Sequence, residues 1–172
     1  MNRLDWGATL RRILPSDGST RPFVCDGFPD EQHIIVVGEN PGRSLQTTWW
    51  DYWSDKSGFD RTHFMASYCE AKPVIRGTRQ RFEALAAAGI KVLETNTFAN
   101  EKLEGAGKMS IPNFAFLDIA FRLGLPVLVH GKKARKALQA EGLWPNHAET
   151  IKHFSRVAVD DVVRTCSRMV LK

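Results

Sequence analysis

Cysteine is scarce and scattered in this sequence: Cys25, Cys69 and Cys166 stand alone, with no C-x-x-C pair among them. That pattern builds neither a zinc site nor a disulfide framework, and it suits a reducing compartment. Long apolar runs are missing as well. No stretch nears the roughly 20 residues that span a bilayer, so no membrane partner is expected. The opening residues, MNRLDWGATLRR, lack the apolar centre of a signal peptide. The expected location is cytoplasmic, and nucleoid-associated if the cell is bacterial. No G-x-G-x-x-G follows the first apolar run, which counts against a dinucleotide-binding fold. The stretch GAGKMS at 105–110 imitates a phosphate loop, but Lys102 stands where its upstream glycine belongs and Met109 where its Ser or Thr belongs. A flexible loop is the better reading. Internal repeats and low-complexity segments are absent.

What remains is ordinary in bulk. The 172 residues are 43% hydrophobic and 25% charged, which suits one soluble domain with a sizeable core, expected as a monomer. The net charge of +5 is compatible with a phosphate-bearing partner. Residues 5–14 carry a mildly amphipathic helical pattern, and 15–32, rich in Pro, Gly, Asp and Ser, read as loop. HIIVVG at 33–38 is a short, continuous apolar run, as expected of a strand covered on both faces. Residues 41–61 are aromatic-rich and irregular. Helices follow over 62–70 and 76–88, and Gly89 stops the second. The second strand is 90–96, followed by a long polar loop. Asn113 is placed to cap a helix ended by Gly124. LPVLVHG is the third strand, KKARKALQA the next helix, ETIKHFS a fourth strand and VDDVVRTCSRMVL a closing helix.

Strand and helix thus alternate four times. The expected fold class is α/β, a three-layer α/β/α arrangement around a four-stranded parallel sheet. Ligands in such sheets bind beyond the carboxyl ends of the strands. Gly38–Gly42, Asn96, His130 and His153 all fall at such ends, so they are expected to converge on one crevice. The loop Gly38-Glu39-Asn40-Pro41-Gly42 is the most specific of them. Gly38 permits a sharp turn or a close approach, Pro41 fixes its own φ and pushes Asn40 towards an extended form, and Gly42 permits a left-handed one. Such a loop can hold a carboxylate and an amide rigidly, or be a turn with solvated side chains.

VVGENPG resembles the first motif of the uracil-DNA glycosylase superfamily. Its mismatch-specific and single-strand-selective branches carry Gly-x-Asn-Pro-Gly, and its iron–sulfur branch carries Gly-Glu-Ala-Pro-Gly. This chain combines Glu39 of the latter with Asn40 of the former. His153-Phe154-Ser155 resembles the second motif, His-Pro-Ser. Asn96 closes LETN where a strand ending in Thr-Asn is typical, and VLVHGKKARKAL is similar to the third strand and following helix. The ordered set spans residues 33 to about 158. Phe154 replaces the usual proline, Asn40 stands where the most active branch has Asp, and the four cluster-binding cysteines are missing. Little chain follows His153 to form a long DNA-wedging loop.

The resemblance implies a monofunctional DNA glycosylase that removes a deaminated base, uracil first, with water and no cofactor. The base must leave the stack for a pocket. The sugar then becomes oxocarbenium-like and the base departs as an anion, which a fixed donor stabilises best. The resemblance assigns that donor to His153, with Ser155 beside it. Asn40 would orient the water through its amide oxygen, without the basicity of a carboxylate. Glu39 either assists in the pocket or is a solvated turn carboxylate. Gly38, Pro41 and Gly42 would shape the base pocket. Asn96 presents a donor and an acceptor in one plane, which suits a uracil-like edge, or it caps its loop. The stacking aromatic would be Tyr52 or Trp53, although most aromatics in such clusters are core.

Lys132, Lys133, Arg135 and Arg156 are the expected DNA contacts, with Lys136 in the same basic run. Arg156 and Val157 are candidates for a short wedge. His130 is a rival to His153 or fills space behind it. No ligand spacing suggests a metal site. Two other functions stay open: a nucleic-acid-binding or interaction protein that keeps the fold without the chemistry, and a hydrolase of free nucleosides or nucleotides.

Overall fold

The computed structural model describes residues 5–16, 20–42, 47–100 and 110–171. The phosphate-loop look-alike falls almost wholly outside these residues. Among them lie six α-helices: α1 (Trp6–Ile13), α2 (Arg61–Ala71), α3 (Gly77–Ala87), α4 (Phe114–Phe121), α5 (Lys132–Ala140) and α6 (Val159–Val170). The strands are β1 (Phe23–Val24), β2 (Ile34–Gly38), β3 (Trp53–Ser54), β4 (Gly58–Phe59), β5 (Val92–Asn96), β6 (Val127–His130) and β7 (Glu149–Ile151). No helix among the described residues is long and apolar enough to cross a membrane.

The chain is mixed α/β. Its main sheet has five strands in the order β1-β5-β2-β6-β7. β2 runs parallel to both β5 and β6, and β6 runs parallel to β7. β1 adds an antiparallel edge, Phe23 opposite Thr95. This corrects the expectation of a purely parallel four-stranded sheet. Residues 15–32 are not all loop, because Phe23 and Val24 are buried and pair with β5. A two-residue strand is too short to leave a periodic signal. A second correction concerns 41–61, where β3 and β4 pair as a small antiparallel sheet after a 3-10 turn at Trp49–Tyr52.

All five residues of β2 are buried. Ile35 and Val37 face one core with Leu10 of α1, Leu117 of α4 and Leu138 of α5. Ile34 and Val36 face the other with Leu85 of α3 and Val162 of α6. Helices therefore cover both faces, which is why this strand reads as an unbroken apolar run. β2 and β6 are neighbours in space but lie far apart in sequence, since β5 was laid down on the opposite side of β2. Their carboxyl ends, Gly38 and His130, flank the point where strand order reverses, the place where such sheets leave a crevice.

Candidate active site

The loop after β2 is pinned by backbone. Thr97 N–H donates to Gly38 O at 2.9 Å, and Phe98 N–H and Thr97 Oγ1 both donate to Glu39 O at 3.0 Å. Asn40 Nδ2 donates to Asn100 O at 3.1 Å, which leaves the amide oxygen as the acceptor. Gly38 is required by close approach rather than by a turn, because its φ is not positive. A Cβ there would sit 2.6 Å from Asn96 Oδ1 and 2.8 Å from His130 Nε2. Gly42 also lacks the left-handed conformation expected of it. Arg21 Nη2 donates to its carbonyl at 3.0 Å.

Asn40, Pro41, Gly42, Asn96, His130 and His153 line one cavity of about 270 Å³, on the scale of a single small planar ligand. All four of the expected strand ends thus contribute to one crevice. Asn96 is held by its carbonyl, which accepts from Asn113 Nδ2 at 3.0 Å. The same Asn113 amide reaches Pro22 O and Thr95 Oγ1, so it ties β1, β5 and α4 together instead of capping α4 with its side chain.

His153 lies past the end of β7, as the cap of a 3-10 turn at Phe154–Arg156. Its Nδ1 accepts from Ser155 N–H at 3.4 Å and lies 2.8 Å from Ser155 Oγ. A backbone N–H can only donate, so Nδ1 carries no proton and the neutral ring carries it on Nε2. Ser155 therefore acts by setting the His153 tautomer. Burial pushes the His153 pKa below its usual value, the Arg156 cation adds to this, and Glu39 opposes it. Phe154, in the place of the resembled proline, is fully buried. It stacks on His130 with centroids 4.5 Å apart and packs on Phe82 at 5.5 Å. An apolar anchor thus fixes this loop where a proline would restrict its backbone. Gly131 (φ +91) turns the chain from β6 into α5, and a Cβ there would press within 3.4 Å of the His153 ring.

Several wall residues were not anticipated: Arg21, Tyr68, Thr78, Arg79, Phe82 and Glu94 also line the cavity. Arg79 is buried and pairs with Glu94 in two contacts, 2.7 and 2.8 Å. Its guanidinium lies over Tyr68, Phe64 and Phe82 at 5.2–5.4 Å. Burial alone would lower its pKa; the carboxylates of Glu94 and Glu83 outweigh this and raise it. The signal in the sequence was Glu94 itself, since a carboxylate inside a covered strand demands a cation.

The aromatics of 49–59 lie elsewhere. Tyr52 is buried against Phe59, Phe64 and His63, and its hydroxyl bonds Thr47 Oγ1. Trp53 stacks on Trp49 at 5.6 Å and hydrogen-bonds Asp55. Neither lines the cavity; Tyr68 and Phe82 are the aromatics that do. A helix-borne aromatic far along the chain leaves no mark that distinguishes it from core.

A wider groove of about 780 Å³ shares His130 and His153 with this cavity. Glu39, Lys132, Lys133, Arg135, Ser155 and Arg156 line it, joined by Lys152. Lys136 does not. Glu39 turns towards Lys133, 3.4 Å away, and Arg135 lies 5.9 Å from the centre of the Trp144 ring. Arg156 is exposed. Val157 is not available as a wedge: its side chain packs on the core beside Phe154 and its carbonyl accepts two bonds from Arg81. Among the described residues no group of three or more His, Cys, Asp or Glu is placed to hold a metal ion.

Fold and site together define an α/β protein with a polar crevice at its strand reversal and a basic groove beside it. No protein-family model matches the chain, and neither a curated protein nor a solved structure matches it.

Proposed function

We propose that this protein is a monofunctional DNA glycosylase of the uracil-DNA glycosylase kind, hydrolysing the bond between deoxyribose and a deaminated base, uracil first. The observation that carries the reading is the convergence of Asn40, Asn96 and His153 on one small cavity, with the Asn40 and His153 side chains each oriented by a neighbour and the Asn96 backbone held by Asn113. With Nδ2 held by Asn100 O, the Asn40 amide oxygen is the atom left to accept from a water and aim it at the sugar. Asn96 offers its amide to the base edge. His153 Nε2–H donates to the base carbonyl as negative charge builds on the leaving group. Charge development, rather than proton removal from water, is then the main lever, because an amide is not a base. The groove of Lys132, Lys133, Arg135, Lys152 and Arg156 supplies cations for the phosphates of the strand.

The test is single-turnover release of uracil, hypoxanthine and other lesions from labelled single- and double-stranded oligonucleotides, developed with alkali. Wild type is expected to release at least one. His153→Ala should slow release about 10²–10³-fold while binding of an abasic strand changes far less. Asn40→Ala should slow it too, and Asn40→Asp should speed it by supplying a base. Binding without release from any lesion would leave a nucleic-acid-binding module on this fold.

A further inference from the structure

His130 has a role no turn or packing argument explains. It is 4% exposed, and its Nδ1 is buried without a hydrogen-bond partner. It stacks on Phe154 at 4.5 Å, where another aromatic ring would pack as well. An unpartnered buried nitrogen costs stability, so a histidine here invites a reason. Its other nitrogen, Nε2, lies close to Gly38: a Cβ there would be 2.8 Å from Nε2 and 2.6 Å from Asn96 Oδ1, and both residues line the cavity. A buried N–H without an acceptor is rarer than a lone pair without a donor. The favoured tautomer therefore leaves Nδ1 bare and puts the proton on Nε2. Burial, and next the nearby His153, hold the ring neutral, with a pKa of about 3.

We propose that His130 Nε2–H and Asn96 Oδ1 form a donor–acceptor pair that selects a base with a lactam edge, a ring N–H beside a carbonyl. The inference rests on the glycosylase reading for its substrate class. Deamination converts the amino–imine edge of cytosine or adenine into this edge, reversing both hydrogen-bond roles. An amino base would set its N–H₂ against the His130 N–H and its ring nitrogen against the Asn96 oxygen. Both contacts would be unpaired. The bare glycine at 38 leaves room for both protein groups, since a Cβ there would meet each of them at under 3 Å.

The probes are four single strands of identical sequence, each carrying an uncleavable fluorinated deoxyuridine, deoxyinosine, deoxycytidine or deoxyadenosine. Wild type should bind the first two at least about tenfold more tightly, the scale of one hydrogen bond lost. His130→Phe should erase most of this preference while thermal stability holds or rises, and His130→Gln, which keeps an N–H, should retain part of it. In wild type the Nε2–H resonance of His130 should shift on binding the deoxyuridine strand and stay put with deoxycytidine. Equal binding of all four strands, an unmoved resonance, or a preference unchanged in His130→Phe would each overturn the assignment. So would a joint loss of stability and preference in His130→Phe that His130→Gln reproduces. Release from cleavable strands is scored separately. Lactam preference without release ends the glycosylase reading and keeps the pair, and release with an indifferent His130→Phe does the reverse.

Discussion

The aromatic cluster around Trp49 and the crevice around His153 are built on opposite terms. In the cluster, Trp49, Tyr52 and Phe59 are at most 3% exposed and pack on Phe23 and Phe64. Polar tips there are spoken for: Trp49 Nε1 donates to Phe23 O at 2.7 Å. In the crevice, Asn40 is held through Nδ2 and His153 through Nδ1, and His130 Nδ1 is buried with no hydrogen-bond partner. A region that satisfies all its groups stores stability. A region that leaves groups poised gives some of it up, and such places are where binding and chemistry are found.

Substitutions that act on only one region break this comparison most directly. Trp49→Ala should cost about 3–5 kcal/mol of folding free energy by opening a cavity in the cluster. Folded molecules should keep the specificity of wild type. Urea melts paired with lesion preference measure both, and a changed preference would tie the cluster to the site.

His153→Ala is the mirror case. Its expected loss of about 10²–10³ in release rate corresponds to roughly 2.7–4 kcal/mol, all of it in the transition state. Stability should move by under about 0.5 kcal/mol, since the side chain is exposed. A large drop in the melting temperature would make His153 part of the framework.

Acid sharpens the contrast within the crevice. The folded state holds His130 at a pKa of about 3 against a usual 6.5, so the unfolded chain binds the extra proton between these values. Stability from the neutral ring is complete above pH 6.5 and is lost progressively as pH falls towards 3. His130→Phe removes this dependence. Its stability relative to wild type should grow by up to about 1.4 kcal/mol per pH unit through that window. Parallel stability-against-pH curves for the two proteins would mean that His130 is not held neutral.

The smallest effect belongs to the groove. Lys132→Ala should weaken strand binding by no more than about 1 kcal/mol at moderate salt, alike for all sequences. It should reduce the salt slope by about one single-strand phosphate contact, or 0.7. An unchanged slope would remove Lys132 from the path of the strand.

How much of this was legible beforehand depended on range. The apolar runs of β2 and β6 and the limits of α5 needed only local pattern, because covered parallel strands are apolar on both sides and Gly131 leads directly into the helix. The polar strand ends could be named, since parallel order sends all carboxyl ends the same way. β1 was not legible, because two residues carry no period. Nor was the fate of the aromatics: Tyr52 sits in the core and Tyr68 in the crevice wall, yet each is one aromatic in a mixed segment.

By itself the sequence determined alternation, and with it a sheet whose strands end on Asn96 and His130 and whose following loops carry Asn40 and His153. Only the tertiary structure decided which atoms face the cavity. Asn113 binding three acceptors, Ser155 fixing the proton on His153, Phe154 stacking on His130 and Glu94 meeting Arg79 are contacts between segments set by chain crossover. Hydrogen bonds and stacking act over a few ångströms, and no local pattern records which distant residues will come within that reach.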